Sequence, residues 1–144
     1  MIKIDLSTLV DKPIKDVFAF IGNPNNMPKW NTTVMGVEQI TPGEVGVGTK
    51  FKSVGEMMGR RIEGEMQVTA YEPDTKFGVQ MNAGPMQVNM MVSFETVGTG
   101  TKISLNAQGN PAGFFKLAEP VMAGRVKAMM EENIASLKSQ LEMS

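Results

Sequence analysis

The chain has 144 residues, 14 lysines and arginines against 15 aspartates and glutamates for a net charge of -1, and neither cysteine nor histidine. A length of this order sets the expectation of a single domain over residues 1–144, and the balanced, scattered charge carries no footprint for nucleic acid or an anionic membrane. Without cysteine or histidine there are no disulfides, no thiolates, none of the usual transition-metal ligands and no histidine proton relay, so no metal or cofactor is expected.

The first residues lack the charged-then-apolar layout of a signal peptide and no apolar run approaches membrane-spanning length, so a cytoplasmic protein without membrane insertion is expected. Residues 2–10 alternate, with Ile2, Ile4, Leu6, Thr8 and Val10 on one side and Lys3, Asp5 and Ser7 on the other, the period of a half-buried strand. Asp11 then stands as an acidic cap before Pro13 in a first helical turn, and Ile14, Val17, Phe18 and Ile21 continue at helical spacing until Gly22. Asn23-Pro24-Asn25-Asn26 is turn chemistry, leading through one more short helical turn to Trp30, which is expected to plug the end of a sheet. Residues 33–41 read as a strand of undecided face: Val34 and Ile40 argue for one inward parity, Met35 and Val37 for the other.

From Thr49 to Gly109 the chain reads as an antiparallel meander. A turn at Met58-Gly59 sets Phe51 against Met66 inside, with Lys52 opposite Glu65 and Glu56 opposite Arg61 outside. A turn at Glu72-Pro73-Asp74-Thr75 pairs Ala70 with Phe77 and Met66 with Met81, leaving Tyr71 on the outer parity. A third at Ala83-Gly84 sets Met81 against Met86, Val79 against Val88 and Phe77 against Met90. The loop Val97-Gly98-Thr99-Gly100 pairs Phe94 with Ile103 and Val92 with Leu105 inside, and Glu95 with Lys102 outside. All the hairpins agree on one apolar face, and a one-residue slip in any of them buries charge.

After Asn110-Pro111-Ala112-Gly113 a helical pattern runs from Phe114 to Leu141, with a kink or a separate first turn expected at Pro120. Phe115, Ala118, Met122, Val126, Met129, Met130, Ile134, Leu137 and Leu141 form its apolar stripe, and Lys116, Lys127, Glu131, Lys138 and Glu142 its wet side. Met122, Val126, Met129 and Met130 are expected to face Met66, Phe77, Met81 and Met90 across the sheet, and the stretch from Phe114 to Ala118 is a candidate gate.

The element order resembles the START-like helix-grip (SRPBCC) superfamily, which includes pollen-allergen-type binding proteins, lipid-transfer domains and bacterial polyketide cyclase/dehydrase-like proteins. The resemblance covers the whole chain and rests on Asp11-Lys12-Pro13-Ile14-Lys15-Asp16-Val17-Phe18, Asn23-Pro24 to Pro28-Lys29-Trp30, Gly46-Val47-Gly48-Thr49, Tyr71-Glu72-Pro73, Gly100-Thr101-Lys102 and Leu137-Lys138. It implies an α+β fold in which a seven-stranded antiparallel sheet curves around the long C-terminal helix, with two short helices after strand one and a cavity between sheet and helix.

Phe51, Ser53, Met66, Phe77, Met81 and Met90 from the sheet, and Phe115, Met122, Val126 and Met129 from the helix, are the expected cavity lining. Thr49, Arg60 and Arg125 are the candidate polar contacts. Since no carboxylate takes the inner parity, no catalytic residue is assigned. The expectation is binding or transport of a small hydrophobic or aromatic molecule: a lipid, a quinone or a polyketide-like compound. The alternatives are a polyketide cyclase/dehydratase acting by substrate positioning and a partner-binding module without a small ligand.

Overall fold

The structure, a computed structural model, describes residues 2–31, 34–57, 59–83, 86–111 and 119–143. Alternation of apolar and polar residues builds β1 (Ile2–Val10), which is followed by α1 (Ile14–Ile21), a 3-10 turn (Pro24–Asn26) and α2 (Met27–Trp30). The meander is β2 (Val34–Gln39), β3 (Lys50–Met57), β4 (Arg60–Glu72), β5 (Lys76–Ala83), β6 (Met86–Val97) and β7 (Gly100–Pro111), and α3 (Glu119–Met143) closes the chain. The seven strands form one antiparallel sheet in the order β1-β7-β6-β5-β4-β3-β2, so the two earliest strands are its edges. This is the helix-grip arrangement of strands and helices. Among the described residues no helix is long and apolar enough to cross a membrane.

Local chemistry accounts for most boundaries. Pro13 (φ -61°, ψ 147°) stands just outside α1 and no side chain caps that helix. The cap expected of Asp11 is therefore not formed; instead its backbone N–H donates to Glu142 Oε2 on α3 (3.1 Å). Asn23 does cap its turn, its Oδ1 accepting from the N–H of Asn25 at 3.1 Å. Gly98, at φ +60°, supplies the left-handed residue between the β6 and β7 partners Val97 and Gly100.

The β3–β4 and β6–β7 registers follow the alternation as expected, with Phe51 opposite Met66, Lys52 opposite Glu65, Phe94 opposite Ile103 and Glu95 opposite Lys102. Three other places differ. On β5–β6 Ala83 pairs with Met86, which sets Met81 against Val88, Val79 against Met90 and Phe77 against Val92. Each partner thus lies two residues from the expected one, a shift that keeps every side chain on its face because the period of a strand is two. Of the turn residues expected from the sequence, Met58 and Gly84 lie outside the described residues.

On β4–β5 a bulge separates Val68, opposite Val79, from Ala70, opposite Gly78. Beyond it Tyr71, not Ala70, stands opposite Phe77, so Tyr71 lies on the inner face rather than the outer one. The result is aromatic packing: the Tyr71 ring meets Phe18 edge-on at 5.3 Å and Phe77 at 6.1 Å, while Phe18 meets Phe94 at 5.4 Å. On β2 a second irregularity lies between Val34, opposite Gly55, and Gly36, opposite Val54. It turns both Val34 and Val37 inward and leaves Met35 (62% exposed) and Ile40 (50%) outside, which is why neither parity satisfies the whole stretch.

The core lies between the inner face of the sheet and the helices. Val17, Phe18 and Ile21 of α1, Met27 and Trp30 of α2, Phe51, Met66, Val68, Phe77 and Val79 of the sheet, and Leu137 and Leu141 of α3 are buried together. The helical stripe by itself sets Met122, Val126, Met129 and Met130 against β4–β6; the side chains of Met122 and Val126 lie outside the described residues, and the principal described contacts of α3 are with β1 and α2. The C-terminal half carries that seat, because its buried side chains are Asn133, Leu137 and Leu141, with Met130 and Ile134 half-buried against the core.

Candidate ligand-binding face

Burial along the inner face is graded on β4, β5 and β6, whereas on β7 Ile103, Leu105, Ala107 and Gly109 are all buried. On β4 Met66 and Val68 are buried but Gly64 and Ile62 are half-exposed; on β5 Phe77 and Val79 are buried but Met81 is not; on β6 Met90 and Val92 are buried but Val88 is not. Each step runs the same way, toward the β3–β4 and β5–β6 turns. On the apolar stripe of α3, Leu141 and Leu137 are buried and Ile134 and Met130 half-exposed. The closed end is the one where α1 roofs the aromatic group of Phe18, Tyr71, Phe77 and Phe94.

The expected lining residues divide accordingly. Phe51 and Met66 are wholly buried (0% exposed), and Phe77 and Met90 are nearly so, which makes them packed wall. Met81 and Met129 lie where burial declines. Phe115 and the side chains of Met122, Val126 and Arg60 lie outside the described residues, as does the stretch 114–118. Arg125 is exposed.

Polar groups on this face are few and mostly engaged. Thr49 is buried, and its Oγ1 accepts from the N–H of Gly46 at 3.0 Å, which holds the loop before β3. Thr101 Oγ1 donates to the carbonyl of Lys12 at 2.8 Å. Asn133 Nδ2 donates to Asn31 Oδ1 at 3.1 Å, tying α3 to the segment after α2. Thr101 stands out in the sequence only as part of Gly100-Thr101-Lys102, with no contact assigned to it, and Asn133 is not singled out. The one local signal for Asn133 is its place a helical turn before Leu137 on the same buried side, and the partner that makes a buried amide tolerable there is 102 residues away.

The outer face of the sheet holds a separate depression of about 270 Å³ over β1, β7 and β6, floored by Ser7, Ser93 and Ser104 and flanked by Asp5, Lys102 and Asn106. Asn106 Nδ2 donates to Asp5 Oδ1 across its rim. It is open and of mixed polarity, with Leu6, Met91 and Leu105 also lining it, on the opposite side of the sheet from the graded apolar face.

Residues 1–142 match the family described as polyketide cyclase / dehydrase and lipid transport. The chain belongs to that family. Among solved structures, this polyketide cyclase / dehydrase and lipid transport family member is similar to a START superfamily protein from Mycobacterium smegmatis, with a TM-score of 0.83 and 11% identity over 99% of both chains. A protein from Thermus thermophilus gives a TM-score of 0.81 and 13% identity over 96% of each chain. The di-domain ARO/CYC protein BexL of the BE-7585A biosynthetic pathway gives 0.78 and 16% identity, covering 99% of this chain and 47% of that one. At such identities the likeness shows the helix-grip fold alone. No protein of curated function matches the sequence.

Proposed function

We propose that this family member binds a small hydrophobic or aromatic molecule, of lipid, quinone or polyketide-like character, between the inner face of the sheet and α3. The observation that supports it is the shared decline of burial toward the β3–β4 and β5–β6 turns, where apolar side chains that point inward keep partial exposure. Half-exposed Met81, Met129 and Met130 suit varied guests, since an unbranched thioether re-packs at little cost. In this reading residues 1–144 act as one domain in the cytoplasm and need no metal or cofactor. Binding is favoured over cyclase or dehydratase chemistry because Tyr71 is the only ionisable group among the described inner-face side chains, and its ring is packed among Phe18 and Phe77 at the closed end.

Titration with the apolar dye 1-N-phenylnaphthylamine tests the proposal. Saturable fluorescence enhancement, reversed by long-chain fatty acid or by a naphthoquinone, is the expected result. A protein that takes up no hydrophobic probe overturns it.

A further inference from the structure

The inner-face registers place small residues side by side at the opening end. Ser53 stands opposite Gly64 and Gly55 opposite Ile62, while Ala83 is the β5 partner of Gly64. One row further in, the large side chains of Phe51 and Met66 fill the corresponding positions. The side chains therefore leave a shallow trough over Ser53, Gly64 and Gly55, about 7 Å along β3, with Ile62 at its outer end beside Gly55 and packed wall on its inner side.

Four polar side chains are buried among the described residues: Thr49, Ser53, Thr101 and Asn133. Three have partners, in Gly46, Lys12 and Asn31. Ser53, only 6% exposed, makes no hydrogen bond through its hydroxyl among the described residues. No fully enclosed side-chain oxygen or nitrogen there lacks a partner, so Ser53 Oγ borders open volume rather than packed protein. A buried hydroxyl left without a partner costs stability, and a ligand oxygen or water removes that cost.

Resting on the binding proposal above, we infer that the guest's buried end carries an uncharged hydroxyl or carbonyl group, seated in the Ser53–Gly55–Gly64 trough and hydrogen-bonded to Ser53 Oγ. Serine can both donate to a carbonyl and accept from a hydroxyl, so it reads the presence of an oxygen rather than its type. Ser53 itself carries no charge, and a hydroxyl meets a neutral oxygen without burying one; Arg60 takes the inner parity two rows further out, opposite Met57.

The test compares 2-naphthol with naphthalene, which differ by one hydroxyl, as competitors of bound 1-N-phenylnaphthylamine. In Ser53→Ala the ratio of the two affinities is expected to move against 2-naphthol by about threefold to tenfold, the effect of one neutral hydrogen bond. Ser53→Thr, which keeps a hydroxyl, restores the ratio, and Gly64→Ala weakens both probes together by narrowing the trough. Urea unfolding confirms that each variant is folded. An unchanged ratio in Ser53→Ala, with both probes still bound, overturns the inference and leaves the binding proposal standing. Failure of the wild-type protein to bind either probe overturns both.

Discussion

At Gly100 a methyl group would stand 2.6 Å from the carbonyl oxygen of Val10, a backbone atom held in the β1–β7 ladder. Gly100→Ala is therefore expected to cost about 1–3 kcal/mol in urea unfolding, the range of an overpacked site. At Gly78 the nearest atoms to an added methyl are the Cε of Met91 at 2.9 Å and its Sδ at 3.1 Å, the free end of a flexible side chain, with Thr69 Oγ1 also at 3.1 Å. Gly78→Ala is expected to cost less than about 1 kcal/mol. Tyr71 gives a similar contrast. Its ring packs on Phe18 and Phe77, so Tyr71→Ala should lose about 2–4 kcal/mol, whereas Tyr71→Phe keeps the edge-on contacts and should stay within about 0.5 kcal/mol. The sequence offers no sign of this inward ring, because strict alternation from Val68 puts Tyr71 outside and only the partner strand shows the extra residue.

At the scale of elements, the β4 bulge can be removed without changing any face. With Thr69 deleted, Val68, Ala70 and Tyr71 alternate regularly against Val79, Gly78 and Phe77, so cooperative unfolding is expected to survive. Deleting Ser104 from β7, whose ladders to β1 and β6 are regular, throws one end of that strand onto the wrong face and should abolish it. Circular dichroism of the two deletions decides the matter. α3 is also uneven. Hydrogen exchange is expected to be faster at residues 124, 125, 127 and 128 than at 133–141, because those four are exposed and the second stretch carries Asn133, Leu137 and Leu141 in the core. A bound apolar probe should slow the first stretch more than the second. The amphipathic stripe of this helix is legible in its sequence; its seat against β1 and α2 is not, since a stripe says which side is buried and not what buries it.

At the scale of the whole molecule, an open sheet has two edges to protect, and the C-terminal half of α3 lies by β1 while α2 lies by β2. A chain ending at Glu132 would lose Asn133, Leu137 and Leu141 together and uncover β1, so it is expected to aggregate and to show no cooperative urea transition. The sequence by itself determined the order of the elements, the inner parity of β3, β5, β6 and β7 and the family resemblance, because period-two and helical alternation are local properties of the chain. Only the tertiary structure decided the two bulges, the seat of α3 and the isolation of Ser53 among partnered polar groups. Each of those depends on residues far apart in sequence: Tyr71 on Phe18, Asn133 on Asn31, and the Ser53 hydroxyl on what its neighbours across β2 and β4 do not provide.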